Sequence, residues 1–210
     1  MPGRFITLEG GEGTGKSTQV QLLVEALGEK GIEAIATREP GGSEGAERIR
    51  EILVTGAVGR WDGMTEALLF FAARRDHLRK TVWPALAQGT WVVCDRFADS
   101  TRAYQAAGQG IADEAVESLY ALAVGDFKPD LTVVLDLPPE IGLARARGRG
   151  DGEDRFEGMD LSFHQRLRDA FLRIAAAEPA RCAVLDADTD IAGLSAVLRA
   201  TVSHRLGQPL

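Results

Sequence analysis

Gly10-Gly11-Glu12-Gly13-Thr14-Gly15-Lys16-Ser17, preceded by the apolar run Phe5-Ile6-Thr7-Leu8, is the stretch on which the reading of this chain turns. It fits G-x-x-x-x-G-K-[ST], and it stands after a strand-like segment and before a helical one. Glycines let the backbone curl until successive N–H groups converge on an anion, and the helix that follows adds its positive end. Lys16 brings a mobile positive charge to the outer phosphates. The Ser17 hydroxyl suits one position on a Mg²⁺ ion that also binds phosphate oxygens. The segment from Gly10 to Thr18 therefore predicts a nucleoside triphosphate site. Val20, Leu23 and Leu27 fall on one stripe, so the helix after the loop is amphipathic and runs to about Gly28.

Outward from this loop, strands and helices alternate. The first strand is expected over Arg4 to Glu9 and the second over Ile32 to Thr37, opened by Gly31. Arg38-Glu39-Pro40-Gly41-Gly42 cannot be regular structure, since a proline followed by two glycines makes a turn or open loop. Helical spacing resumes at Ile49, Ile52 and Leu53, and again from Glu66 through Leu78 toward Gln88, with Pro84 kinking that helix or starting a new segment. Trp91 to Cys94 and Leu131 to Asp136 are apolar runs of the kind buried on both faces of a parallel sheet. Helices are expected over Ser100 to Ala107, Asp113 to Val124, Pro139 to Arg145, Leu161 to Ala177 and from Ile191, with a last strand over Arg181 to Leu185. This alternation predicts one α/β domain spanning residues 1–210, with a five-stranded parallel sheet, right-handed crossovers and helices on both faces. The Gly- and charge-rich segment from Gly148 to Arg155 reads as mobile.

With 210 residues, 45% hydrophobic and 26% charged, the composition is that of an ordinary soluble domain. A net charge of -7 argues against a general nucleic-acid binder, which needs a basic face. Only four of the 24 basic residues are lysines, and the rest are arginines, the better bidentate partners of phosphate. Cys94 and Cys182 read as small buried hydrophobes in a reducing compartment. No apolar run approaches the roughly 20 residues needed to span a bilayer, so a cytoplasmic location without a membrane partner is expected.

In open parallel sheets ligands sit beyond the carboxyl ends of the strands. The phosphate loop, Arg38 to Gly42, Asp95-Arg96 and the Arg-rich segment should gather there. A hydrolase or switch needs the loop and one water-orienting group, whereas this chain aims several more arginines at the same edge. That points to a second phosphate, on an acceptor, in line with the γ-phosphate. Arginines and Mg²⁺ would offset the repulsion between the two anions.

These segments carry a family resemblance. The phosphate loop, Thr37-Arg38-Glu39-Pro40-Gly41-Gly42, Leu69-Phe70-Phe71-Ala72-Ala73-Arg74, Asp95-Arg96-Phe97 with Ser100-Thr101-Arg102-Ala103-Tyr104-Gln105, Pro129-Asp130-Leu131 and Asp154-Arg155-Phe156-Glu157 resemble bacterial thymidylate (dTMP) kinases in order and spacing. The resemblance implies a nucleoside-monophosphate-kinase fold, γ-phosphoryl transfer from ATP to dTMP with Mg²⁺, and a homodimer. It implies that Glu12 approaches the deoxyribose 3'-OH and the metal region. Arg96 would clamp the acceptor phosphate, with Asp95 near Mg²⁺. Phe70 would stack on thymine, and Arg74, one turn on, would donate to a thymine carbonyl. Ser100, Thr101, Tyr104 and Gln105 would border the base and sugar, and Arg38, Glu39, Pro40 and Phe156 would line the acceptor pocket. The resemblance makes the segment at about 147–157 the lid, and the absence of arginine from the phosphate loop matches the bacterial members, in which a lid arginine reaches the transferring phosphoryl: Arg155 first and Arg149 second, with Arg145 on the ATP side. The alternatives left open are another monophosphate kinase and a nucleotide-dependent switch or binding module.

Overall fold

The computed structural model describes residues 3–57, 59–146 and 155–210. Its centre is a sheet of five parallel strands: β1 (Phe5–Glu9), β2 (Ala34–Arg38), β3 (Trp91–Asp95), β4 (Leu131–Asp136) and β5 (Cys182–Asp186), in the order β2-β3-β1-β4-β5. β1 lies at the middle, with Leu8 paired to Asp95 on one side and to Val133 on the other. The loops after β1 and β3 therefore leave the sheet side by side.

Strand side chains alternate between the faces. Ile6, Leu8, Val93, Val133 and Leu135 face a core closed by Leu23 and Leu27 of α1 (Lys16–Glu29) and by Leu194, Leu198 and Val202 of α9 (Ile191–Leu206). On the other face Phe5, Val92 and Cys94 meet Phe71 of α3 (Gly63–His77) and Tyr120 of α6 (Asp113–Ala123). Val134 meets Phe163, Leu167 and Phe171 of α8 (Leu161–Ala177). Three layers result, as the doubly buried strands require. Both cysteines are buried and free, and no helix among the described residues is long and apolar enough to cross a membrane.

Several boundaries differ from the sequence expectation for local reasons. Strand β2 starts two residues later and takes in Arg38, which pairs with Asp95 at the end of β3. Asp95 is thus the last residue of its strand. The expected helix from Glu66 begins earlier, at Gly63, where the Asp62 carboxylate accepts the Thr65 N–H. Pro84 cannot donate to the preceding turn, and there the helix is rebuilt as a π-helical turn (Leu78–Val82) followed by the short α4 (Trp83–Ala87). The expected helix Ser100 to Ala107 is instead α5 (Ala98–Thr101) running into a π-helical turn (Arg102–Gly108). α2 (Glu44–Val54) and α7 (Pro139–Ala146) complete the described helices.

Candidate functional site

Helices α2, α3, α8 and α9 are capped by the side chains of Ser43, Asp62, Asp160 and Asp190. α1 starts differently, from Gly15 at φ 87°, with no side-chain cap and no acid in its first turn. Its leading N–H groups are thereby left for an external anion. The loop also presses against α7: a Cβ on Gly13 would overlap the Gly142 carbonyl oxygen, so only glycine fits. The Lys16 ammonium folds over the loop, donating to the carbonyls of Gly11 at 2.7 Å and Gly10 at 3.3 Å and to Thr14 Oγ1 at 3.2 Å. Burial, followed by the nearby Arg96 charge, pushes its pKa down to about 8. Ser17 Oγ donates to Asp95 Oδ2 at 2.5 Å, which brings the two expected metal-side oxygens together. Thr18 is exposed on α1.

Next to the loop stands a charged cluster. Arg96 holds a left-handed backbone, φ 69°, unusual for a residue with a Cβ and a local strain that its surroundings must maintain. Its guanidinium donates to Glu12 Oε1 at 3.0 Å, Gly10 O at 2.8 Å and Ser100 Oγ at 3.2 Å. Tyr104 donates its hydroxyl to the same Glu12 oxygen at 2.6 Å. Burial alone would raise the Glu12 pKa, but Arg96, Lys16 and the Tyr104 hydroxyl bring it down to about 2. The acid is therefore ionised beside two cations. Glu9, fully buried at the end of β1, accepts from Phe97 N–H and Ser100 Oγ and so grips the chain just beyond the strained residue. Burial and the Asp99 charge raise its pKa.

The other half of the cleft is built on α3. Phe71 turns into the core while Phe70 lines the opening, which settles the inward and outward members of that aromatic pair. Arg74, 1% exposed, donates through Nε to Glu39 Oε2 at 2.7 Å and through Nη2 to Phe97 O and Thr101 Oγ1. Its Nη1 is buried without a partner. Arg38 pairs with Glu47 at 3.0 Å, and Pro40 accepts from Arg50 through its carbonyl. Gln105 is buried and donates to Glu66 at 3.0 Å.

Arg155, first choice for the transferring phosphoryl, is 5% exposed and donates to the Glu66 carboxylate and to the carbonyls of Leu53 and Ala57. In this arrangement it ties the chain ahead of α8 to α2 and α3, as the cation partner of the buried Glu66 carboxylate. Phe156, its neighbour, reaches the cleft and sits 5.4 Å edge-on from the Tyr104 ring. Arg145 donates to Ala187 O and Asp188, beyond β5. Arg149 lies outside the described residues.

One continuous cleft is lined by the phosphate loop from Glu12 to Ser17, by Arg38 to Pro40, by Phe70 and Arg74, by Asp95 and Arg96, and by Ser100, Thr101, Tyr104, Gln105 and Phe156. Gly10 and Gly11 contribute carbonyls to Lys16 and Arg96. Glu9, Glu66 and His77 escaped the sequence reading. Glu9 left one signal, an acid closing an otherwise apolar strand, while the partners of the other two come from segments far along the chain. No group of three or more His, Cys, Asp or Glu poised for a metal occurs among the described residues. Chemically, the cleft offers one cradle for a polyphosphate, a guanidinium beside it for a second anion, and an aromatic slot with a buried donor.

The family model described as Thymidylate kinase matches residues 8–196. The chain is 52% identical to a thymidylate kinase of Caulobacter vibrioides over 205 residues, 98% of each chain. It is 54% identical to one of Bradyrhizobium diazoefficiens over 190 residues, covering 90% of this chain and 83% of that one. Among solved structures, thymidylate kinase from Ehrlichia chaffeensis superposes with a TM-score of 0.80 at 34% identity, covering 96% of this chain and all of the other.

Proposed function

Because this chain belongs to the thymidylate kinase family and phosphorylates dTMP, we propose that the continuous cleft holds the two nucleotides end to end, with ATP on the loop from Gly10 to Thr18 and dTMP over Phe70. The observation that carries this reading is the continuity of the lining from Lys16 through Arg96 to Arg74. Separate pockets would serve a switch or a binding module instead.

Lys16 and the uncapped start of α1 hold the donor phosphates, and Lys16 follows the charge that develops on the transferred group. Arg96, whose charge burial alone would disfavour but which the Glu12 and Asp95 carboxylates keep charged, grips the acceptor phosphate. Glu12 keeps Arg96 in line and faces the sugar. The unpaired Nη1 of Arg74 is the donor for a base carbonyl, since a buried N–H without a partner is costly until a ligand supplies one. Thr101, Tyr104, Gln105 and Phe156 border the base and sugar, and Arg38, Glu39 and Pro40 close the pocket. Ser17 and Asp95 offer hard oxygen donors that fit Mg²⁺, which when bound neutralises charge on the β- and γ-phosphates. With Arg155 engaged by Glu66, Arg149 is the lid arginine assigned to the transferring phosphoryl, and Arg145 flanks the adenine side. The 210 residues act as one domain with a lid, and two free buried thiols suit a reducing compartment such as the cytoplasm. The exposed apolar side chains Met64 and Leu68 on α3 and Leu122 on the neighbouring α6 are the surface assigned to a second copy, and sedimentation would report that homodimer.

An acceptor-panel assay with ATP and Mg²⁺ tests the reading. dTMP should turn over fastest. dUMP should be a poor substrate and still a measurable one, because a missing methyl group is worth only about 1–3 kcal/mol in a pocket. ATP consumption that is equal with and without acceptor would leave only the switch.

A further inference from the structure

His77 and Thr37 take no part in the scheme above, yet they stand directly behind the acceptor half of the cleft. His77 is fully buried in α3, one turn from Arg74 and on the same side of the helix. Its Nδ1 lies 2.9 Å from Glu39 Oε1 and its Nε2 2.8 Å from Thr37 Oγ1. The second Glu39 oxygen accepts the Arg74 Nε–H at 2.7 Å. Since that carboxylate only accepts, His77 donates from Nδ1.

Each link removes one freedom from the next. A carboxylate held at one oxygen can still swing about its terminal torsion, whereas donors at both oxygens fix its plane. The fixed carboxylate sets the direction of Arg74 Nε. A guanidinium is planar, so Nε on Glu39 and Nη2 on Phe97 O and Thr101 Oγ1 leave Nη1 only one direction to point. That Nη1 is the buried, unpartnered atom of a residue lining the cleft.

We propose that His77, braced by Thr37, is a positioning residue for recognition of the acceptor base: through Glu39 it locks the Arg74 guanidinium with one N–H aimed at a base carbonyl. This rests on the reading that Arg74 meets the base. The competing role is packing alone, because the His77 ring also abuts Gly42, where a Cβ would collide with it.

Paired variants separate the two roles. In His77→Asn the amide keeps a donor near the Nδ1 position. In His77→Gln it falls near Nε2, and the donation to Glu39 is lost. Steady-state kinetics with dTMP and with ATP, together with thermal unfolding, are measured on both and on Arg74→Ala. His77→Gln should raise KM for dTMP about tenfold, the worth of one hydrogen bond to a charged group, with kcat and KM for ATP within about twofold. His77→Asn should recover most of that KM. Thr37→Val, which keeps shape and loses the hydroxyl, should raise KM for dTMP about threefold and serves if a His77 variant fails to fold. Equal KM changes in the two His77 variants, or changes spread over both substrates and kcat in proportion to lost thermal stability, overturn the positioning role. A rise in KM for dTMP in Arg74→Ala alone overturns it too, while leaving the base site intact. An unchanged KM in Arg74→Ala removes both the base site and the inference.

Discussion

The carboxylate of Glu12 and the guanidinium of Arg96, 84 positions apart in sequence, meet at 3.0 Å where the loops after β1 and β3 leave the sheet side by side. This pair joins the phosphate loop to the Arg74 side of the cleft, and its geometry is supported from below by Glu9 and from the side by Tyr104. Its energetics can be read through pH.

Glu12 titrates at about 2 in the folded chain against an ordinary value of 4.5, so the folded state favours the ionised form. The stabilisation is fully present above about pH 4.5 and is lost as pH falls toward 2. Glu12→Gln should therefore be less stable than the parent at pH 7, by about 1–3 kcal/mol, since Arg96 loses its partner. Urea unfolding at pH 7 and at steps below pH 4.5 checks this: the difference should narrow on acidification.

Lys16 behaves in the opposite sense. Its pKa falls from 10.5 to about 8, so burial of the charge costs stability at neutral pH, and the cost is relieved as pH rises from 8 to 10.5. Lys16→Met should lower kcat by at least about a hundredfold, because an interaction that grows with developing charge is lost. Its melting temperature at pH 7 should equal or exceed that of the parent. In the parent, kcat/KM for ATP should decline above about pH 8, as the free enzyme loses the loop cation.

Arg155 and Glu66 form a buried ion pair just ahead of α8. Arg155→Ala leaves Glu66 with Gln105 and Gln109 but no cation, and should cost about 3–5 kcal/mol in denaturant unfolding. Removing both charges in Arg155→Met/Glu66→Leu should restore most of it. If Arg155 instead served the phosphoryl group, kcat would collapse with stability intact.

Gly13 stands at φ 66° with the Gly142 carbonyl where a Cβ would lie. Gly13→Ala should combine the strain of the left-handed conformation with a displaced α7, at about 1–3 kcal/mol, and should raise KM for ATP more than KM for dTMP. Unfolding and steady-state kinetics on the variant report both effects.

What was legible in the sequence is what depends on neighbours along the chain. The phosphate loop is a run of eight residues whose backbone freedom and charges are local. The central strands β3 and β4 announce themselves by apolar runs that the sheet buries on both faces, and α8 by a period that neither proline nor glycine interrupts, so its bounds agree with expectation at both ends. Phe70 and Arg74 share a helix face by spacing alone. The π-helical turn before Pro84 and the one after Thr101 were hidden, because they depend on how a helix end is packed and not on composition.

Tertiary structure alone decided the polar partners. Whether a lid arginine faces phosphate or a buried acid cannot be read from Asp154-Arg155-Phe156-Glu157; it follows from Glu66, 89 positions earlier, being sealed from water with a charge to be neutralised. The left-handed Arg96 backbone, the buried Glu9 beneath it, and the chain from Thr37 through His77 and Glu39 to Arg74 are likewise contacts between distant segments. A sequence specifies which groups are charged and which segments are apolar. Only the folded chain determines which charges lose their water together, and desolvation is what turns those groups into a site.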